Sequence, residues 1–376
     1  MAVGAGVLAS IANSTFDFYY QKGKLFESTI QDKPLVKKMD VNDRGKTFPG
    51  GKGNISLSTK NKYGNPDNPG TGDQLVGYSF DDTVTYYTPG NVQKADFPWR
   101  EHHIGITATY TELKMDGITV TDDSDPANST AEHSKREVTR IVDIFKTYMD
   151  DMAEQYAREL NDLLWGDGTG DAKALAGIRA HIVPDPSIGT IGGFNRATAG
   201  NEWIRNYAWT TAFGAKVTGT PALAAWGGGP ITPNVADGGA LVAHMQKVWR
   251  LLSRYGGKPN TAVAGSDFLD QLGKEIRANG TYTVNGFRGI QDPVMGTLKF
   301  DGIEIEHDWT LDQLGLGKRC YVWDDRTLFL MKMENEWNKP HSPPRLPDKY
   351  VLYKSITSTG QVVSTQLNNS AVIDIA

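Results

Sequence analysis

The chain has 376 residues and 41.2 kDa, 39% hydrophobic and 22% charged, an ordinary globular composition that excludes wholesale disorder despite 41 glycines. Its one cysteine, Cys320, excludes an internal disulfide framework and a cysteine-ligated zinc site and points to a cytosolic setting. Residues 1–12 lack the basic flank of a secretion signal and no apolar run reaches membrane-span length, so neither secretion nor membrane anchoring is expected.

The net charge of -5 is unevenly spread: residues 1–62 hold ten Lys/Arg against five Asp/Glu, which leaves the other 314 residues at -10. The start of the chain is thus suited either to solvent or to an acidic surface, such as that of another copy. Residues 13–40 scatter Phe16, Phe18, Tyr19, Leu25, Phe26, Leu35 and Val36 among charges without a clear period. They read as an arm whose aromatics need burial on the body or on a neighbour. From Gly45 to Gly72, 14 of 28 residues are Gly, Pro or Asn, and the only charges are Lys46, Lys52, Lys60, Lys62 and one carboxylate, so no core can form there. Ile55, Leu57 and Thr59 on one side, and Tyr78, Phe80, Val84, Tyr86 and Thr88 on the other, alternate as strands do. Together they predict a long, basic, projecting β-hairpin.

Ile104, Ile106, Ala108 and Tyr110 predict another strand, stopped by Asp122-Asp123-Ser124-Asp125-Pro126. Ser129 and Glu132 then have capping-box spacing, and Val138, Ile141, Val142, Phe145, Met149, Met152, Tyr156, Leu160, Leu163 and Leu164 keep a 3-4 rhythm as far as Gly166. The expectation is one helix over 129–165, roughly 50 Å long at about 1.5 Å per residue. Gly177–Val183 reads as a strand, whereas 203–234 shows no period. A helix is expected from about Gly238 to Tyr255, with Leu241, Met245, Val248, Trp249 and Leu252 on one face, Asp237 as cap and Gly256-Gly257 as stop. A short buried strand, Thr261–Gly265, leads into a helix over Ser266–Arg277 with Phe268, Leu269, Leu272 and Ile276 inward. Asp301-Gly302 between Leu298/Phe300 and Ile303/Ile305 is a two-residue hairpin signature. Arg319–Trp323 and Leu328–Met333 read as a further hairpin, and prolines 340, 343, 344 and 347 precede a long strand over Tyr350–Gln366. The class is α+β, built around mixed sheets.

Chemistry-bearing patterns are sparse. Gly45-Lys46-Thr47 lacks the earlier glycine and the strand-loop-helix context of a phosphate loop. Ser266 follows Ala264-Gly265, so it matches no nucleophile elbow and reads as a helix N-cap. His102 and His103 are adjacent on a strand and face opposite ways, which is wrong for one metal. Asp122, Asp123 and Asp125 match no calcium-loop spacing. Glu304 and Glu306 share a strand face and could be the carboxylate pair of a carbohydrate-active enzyme, with Trp165, Trp203, Trp209 and Trp226 as sugar platforms. A half-buried strand and core tryptophans account for them equally well. No catalytic, cofactor or metal site is assigned.

The order of parts says more. Aromatic arm, basic hairpin, one long helix ending in glycine, a mixed region with two helices on strands, and a long terminal strand resemble the tailed-bacteriophage major capsid proteins of the Hong Kong 97 type. Leu163-Leu164-Trp165-Gly166-Asp167-Gly168-Thr169-Gly170 and Gly189-Thr190-Ile191-Gly192-Gly193-Phe194-Asn195-Arg196, the latter followed by Trp203-Ile204-Arg205-Asn206, look like segments common in such subunits. The resemblance spans essentially the whole chain. It implies an N-terminal arm over 1–41 and an extended loop over 42–103. A peripheral domain follows from 104–172 and 341–366, with a spine helix over 129–165, and an axial domain from 173–340 and 367–376. It implies self-assembly through pentamers and hexamers into an icosahedral shell enclosing double-stranded DNA, with Lys46, Lys52, Lys60 and Lys62 in loop contacts. It further implies a virion protein assembled in the host bacterial cytoplasm, with a portal, a separate scaffolding protein and a decoration protein as partners, no membrane and no cofactor. An encapsulin-like compartment is the alternative on the same fold. Some relatives join subunits through an isopeptide bond between a loop lysine and an asparagine of the long strand. Tyr350–Gln366 holds no Asn, Asp or Glu, and Asn368 and Asn369 follow it, so a non-covalent shell is expected.

Overall fold

A computed structural model describes residues 3–4, 33–41, 46–49, 53–60, 77–83, 92–115, 120–121, 135–198, 200–234, 239–278, 298–300, 302–341 and 351–376. The helices are α1 (Pro34–Val36, continued by a π turn over Lys37–Val41), α2 (Tyr110–Met115), α3 (Lys135–Leu164), α4 (Ile178–His181), α5 (Thr211–Val217), α6 (Pro221–Ala224), α7 (Ala240–Leu252), α8 (Ser266–Ala278) and α9 (Trp309–Gln313). The strands are β1 (Val3–Gly4), β2 (Lys46–Phe48), β3 (Asn54–Lys60), β4 (Val92–Pro98), β5 (Arg100–Thr109), β6 (Val120–Thr121), β7 (Thr190–Ile191), β8 (Phe194–Asn195), β9 (Tyr207–Trp209), β10 (Gly227–Gly228), β11 (Thr261–Ala264), β12 (Leu298–Phe300), β13 (Ile303–His307), β14 (Arg319–Trp323), β15 (Leu328–Met333), β16 (Lys339–His341), β17 (Val351–Ser364) and β18 (Ala371–Asp374).

Seven strands form a mixed sheet in the order β10-β9-β18-β14-β11-β13-β12. Its centre is apolar on both faces, with Ala262, Val263, Tyr321, Val322, Val372 and Ile373 fully buried, as a sheet covered on two sides requires. Helix α7 turns Leu241, Met245, Val248, Trp249 and Leu252 inward, and α8 turns Phe268, Leu272 and Ile276 inward. Leu269 packs against the same core from a partly buried position. The start of α7 carries orphan N–H groups that Glu275 of α8 meets: its fully buried carboxylate accepts from Leu241 N (2.8 Å), Val242 N (3.1 Å) and Asn234 N (3.0 Å). The expected cap, Asp237, lies outside the described residues. Gly256, in the left-handed region at φ 77°, stops the helix as anticipated.

The second sheet is organised by β17, about 46 Å long at about 3.3 Å per residue. It pairs with β5 along 351–360, with β16 at 355–357 and with β15 at 360–364, while β2 adds in parallel to β15. Helix α3 lays Met149, Met152 and Ala153 on Ile104, Ile106 and Ile356 of this sheet. Tyr156 Oη hydrogen-bonds Ser358 Oγ (2.8 Å) and donates to Asn338. Leu35, Val36 and Met39 join the core cluster that holds Tyr156, Ala157, Leu160 and Leu164 of the same helix.

The expected long helix is described from Lys135 to Leu164, and the Ser129/Glu132 capping box and Asp122, Asp123 and Asp125 lie outside the described residues. Other expectations are corrected by the fold. Gly177–Val183 is not a strand: Ile178–His181 is one helical turn that buries Ile178, His181 and Ile182. A Cβ on Gly177 would lie 2.2 Å from Leu164 O, so only glycine lets this turn close against the end of α3. Arg319–Trp323 and Leu328–Met333 are not a hairpin but belong to different sheets. Buried Asp324 accepts from Lys258 N (2.9 Å) and Arg326 N (3.0 Å), which bends the chain out of one sheet and into the other. The mate of Ile55–Thr59 is Val92–Pro98, whereas Tyr78 and Phe80 sit on a turn; Val84, Tyr86 and Thr88 fall outside the described residues. The Asp301-Gly302 hairpin is present, with Phe300 opposite Ile303 and Gly302 at φ 81°.

The two stretches that carried the resemblance are joints. Trp165 is fully buried against Tyr321 of β14 (centroids 5.2 Å apart), and its Nε1 donates to Asp308 Oδ2 (2.8 Å). Asp308, 1% exposed, also accepts from Asn161 Nδ2 (3.2 Å to each oxygen) and from Thr310 N (2.9 Å) at the start of α9. Arg196 is buried and donates to His181 O (2.6 Å) and Asn206 Oδ1 (3.0 Å), while Asn206 Nδ2 donates to Val183 O (2.9 Å). Burial lowers the Arg196 pKa to about 10, so it stays cationic at neutral pH. Burial, reinforced by Arg196, lowers His181 to about 3, and burial with help from Lys247 lowers His244 to about 4.

Asp308→Ala strips the acceptor from three buried donors and is expected to lower the unfolding free energy by about 3 kcal/mol or more, read from denaturant midpoints at unchanged slope. The histidines predict acid sensitivity with a definite sign. An unfolded histidine binds its proton near pH ~6.5, whereas these folded ones do not until about pH 4 and 3, so stability falls as pH drops below ~6.5. Denaturation midpoints should decline from pH 7 to pH 5, and His244→Gln should flatten that slope.

Candidate assembly surface

Strands β3 and β4 form a hairpin in register from Asn54 opposite Pro98 to Lys60 opposite Val92. Its base is anchored: Ile55, Ala95 and Phe97 are buried with Phe329, Met331 and Val363 of the β17 sheet. Asp96 N–H donates to Gly192 O (3.3 Å) in the β7–β8 turn, whose glycine sits against Ala95 and Phe97 at φ 55°. Lys60 ends β3 at the end of the hairpin away from that base, and Lys52 and Lys62 lie outside the described residues. Lys46 is not on the hairpin: it is on β2, beside Met331, with its ammonium 3.8 Å from the centroid of the Phe329 ring. The segment read as a projecting loop therefore gives both ends to the sheet, through β2 and through Arg100–His103 of β5.

The turn at 77–83 displays the most exposed aromatics among the described residues, Tyr78 at 73% and Phe80 at full exposure. Ser79 N donates to Asp82 Oδ2 (2.7 Å) and Asp82 N donates to Ser79 O (3.0 Å), so this display is held in shape by its own backbone.

A groove of about 280 Å³ runs between β5 and α3, lined by His102, His103, Ile104, Gln155, Tyr156, Glu159, Leu160, Leu163 and Ser358. Its floor is apolar and its rim polar. Burial lowers the His102 pKa, opposed by Asp171 and aided by Arg100, and its Nε2 has no hydrogen-bond partner among the described residues. Beside the groove, α3 exposes Asp150, Asp151, Glu154, Glu159 and Asp162 with Arg158 among them.

Glu306 pairs with Lys38 (3.2 Å), a structural tie between β13 and the segment after α1. Trp165, Trp203, Trp209 and Trp226 are buried and offer no sugar platform. Ser266 is the first residue of α8, and the carboxylate that meets its N–H is Asp312 Oδ1 (3.0 Å), from another element. His102 and His103 alternate inward and outward on β5. Among the described residues no three His, Cys, Asp or Glu side chains are placed to hold a metal ion, and no helix is long and apolar enough to cross a membrane. The groove and the aromatic turn had no sequence signature, because each depends on which elements the fold brings together.

No family model matches the chain, and no curated protein matches it in sequence. In structure it is similar to a chain of the capsid asymmetric unit of cyanophage A-1(L), with a TM-score of 0.56 and 12% identity over 91% of this chain and 92% of that one. It is likewise similar to a chain of the capsid of the native GTA particle, with a TM-score of 0.51 and 9% identity over 93% and 91%. The two mixed sheets, the long helix and the anchored hairpin thus make up an α+β capsid fold.

Proposed function

We propose that this chain is the major capsid protein of a tailed phage, assembling through pentamers and hexamers into an icosahedral shell around double-stranded DNA. The observation that carries the reading is the extent of the likeness: it covers 91% of this chain and 92% of the cyanophage A-1(L) capsid chain, so it concerns the whole subunit. In this reading residues 1–41 are the arm and 42–103 the extended loop. Residues 104–172 with 341–366 form the peripheral domain, and 173–340 with 367–376 the axial domain. A basic hairpin with little core of its own gains stability by lying over an acidic neighbour, and repetition of that contact closes a shell. A scaffolding protein, a portal and a decoration protein complete the partner set, and the product is a virion capsid formed in the bacterial cytoplasm. The shell is non-covalent. Of the two asparagines that follow the long strand, Asn368 is buried and its Oδ1 accepts from Gln366 Nε2, and Asn369 is 1% exposed with its Nδ2 donating to Thr327 Oγ1 (2.8 Å), so both amides are engaged within the subunit.

Electron microscopy of the expressed chain, alone and with its scaffolding partner, should show closed shells or capsomers, and a monodisperse monomer at high concentration would sink the reading. Particles enclosing DNA distinguish a phage head from a cargo compartment. Boiled mature particles should give one gel band near 41.2 kDa, and a ladder of larger species would overturn the non-covalent assignment. Combined Lys52→Glu, Lys60→Glu and Lys62→Glu should lower assembly yield most at low salt. Lys46→Glu should add a loss of subunit stability, because that lysine also covers Phe329.

A further inference from the structure

The short segment 33–41 is anchored to the long helix and to both sheets. Helix α1 packs on α3, and Leu35, Val36 and Met39, none more than 3% exposed, belong to the core cluster that holds Tyr156, Ala157, Leu160 and Leu164. Lys38 places its Nζ 3.2 Å from Glu306 Oε1 on β13 of the seven-stranded sheet. Asp40 pairs with Lys332 on β15 of the other sheet, and the same ammonium donates to Asp40 O (3.0 Å). The four charged side chains are between 7% and 27% exposed, so salt screens these pairs far less than surface ones. Residues two apart on a helical turn do not share a face, which lets the π turn over Lys37–Val41 send Lys38 to one sheet and Asp40 to the other. Such turns are rare and are found mostly where side chains must be aimed for a purpose.

We propose that 33–41 is a strap with two states. Seated, it locks α3, β13 and β15 in one arrangement; unseated, all three loosen together. A turn this short does not keep its shape without tertiary contacts, and losing one partner of a buried ion pair leaves the other charge desolvated, so a half-seated strap is disfavoured. The release therefore has the character of one cooperative local opening. Tyr156 and Leu160, which the strap backs, also line the β5–α3 groove, so seating the strap sets the shape of that surface from behind. The device lies within one subunit and does not depend on the shell reading.

Amide hydrogen exchange on the purified full-length chain, before assembly, tests the strap. Asp40→Asn removes one charge of the pair with β15 and should speed exchange by about tenfold or more across 33–41, across 156–164 of α3 and in β13, which Asp40 does not pair with. Lys38→Met should do the same from the other side and loosen β15. Helices α7 and α8 should exchange as in the parent, which shows that the subunit is still folded. The charge swap Asp40→Lys with Lys332→Asp should return part of the lost protection. An environment-sensitive thiol dye on Gln155→Cys, at the exposed rim of the groove, should change its emission when Asp40→Asn is added; Cys320 is fully buried and stays unlabelled. Faster exchange confined to the neighbourhood of each substitution, or an unchanged profile, overturns the strap. Protection lost everywhere, α7 and α8 included, also overturns it, because the segment is then part of the global core. None of these outcomes bears on whether the parent chain forms particles, which decides the shell reading separately.

Discussion

The junction between the long helix and the seven-stranded sheet rests on one buried carboxylate. Asp308 sits at 1% exposure, and among the described residues no cation pairs with it; Asn161, Trp165 and the N–H of Thr310 hold its charge by hydrogen bonds. Hydrogen bonds to a charged acceptor are worth roughly 1.5–3 kcal/mol each, and each is lost together with burial of an orphaned donor, so the angle at which α3 leaves the sheet is strongly held. Everything that α3 carries follows from that angle. Met149, Met152 and Ala153 meet Ile104, Ile106 and Ile356 only if the helix leaves in this direction, and the β5–α3 groove is what remains between them.

The stretches that made the sequence look like a capsid subunit do this joining work. Gly166 closes the helix by donating to Leu163 O (2.9 Å) and accepts from Gly177 N (3.1 Å), which turns the chain back under Trp165. Arg196 and Asn206 stitch the segment after α4 to β9, and Arg205 adds a bond from Nε to Arg196 O (2.6 Å). A buried arginine satisfied largely by carbonyls is costly to replace, since any shorter side chain leaves those oxygens unmet. In this subunit both segments have an architectural role as joints between elements.

The parts of the fold legible in the sequence were those whose determinants lie within a few residues. The face of α7 follows from a 3-4 rhythm, and the β12–β13 turn follows from Asp301-Gly302. What could not be read is set at a distance. Glu275 reaches back 34 residues to cap α7, and Asp312 reaches back 46 residues to the start of α8, so local spacing points to Asp237 and Ser266 instead. Arg319–Trp323 and Leu328–Met333 have the composition and separation of a hairpin. Their partners, β18 and β17, come later in the chain and lie in two different sheets. Of the surface, the lysines were legible as a charge pattern, but the placement of Lys46 over Phe329 depends on β2 joining β15, which no short-range pattern encodes.

The distribution of charge then constrains how such a subunit can meet a polyanion. Over residues 150–162, α3 exposes five carboxylates and one arginine, while the surplus of basic residues lies in 1–62. Exposed charges are felt over about 8–10 Å at physiological salt, so this helix face repels a nucleic-acid backbone at close range and attracts a basic segment. One chain therefore carries its two signs of charge in separate stretches of sequence, and among the described residues Lys38 of the early stretch is paired with Glu306 of β13. Charge left unmatched within a copy can be matched between copies. Ordinary ionic strength weakens that term without removing it, and the closing specificity must come from buried apolar surface, which salt does not screen.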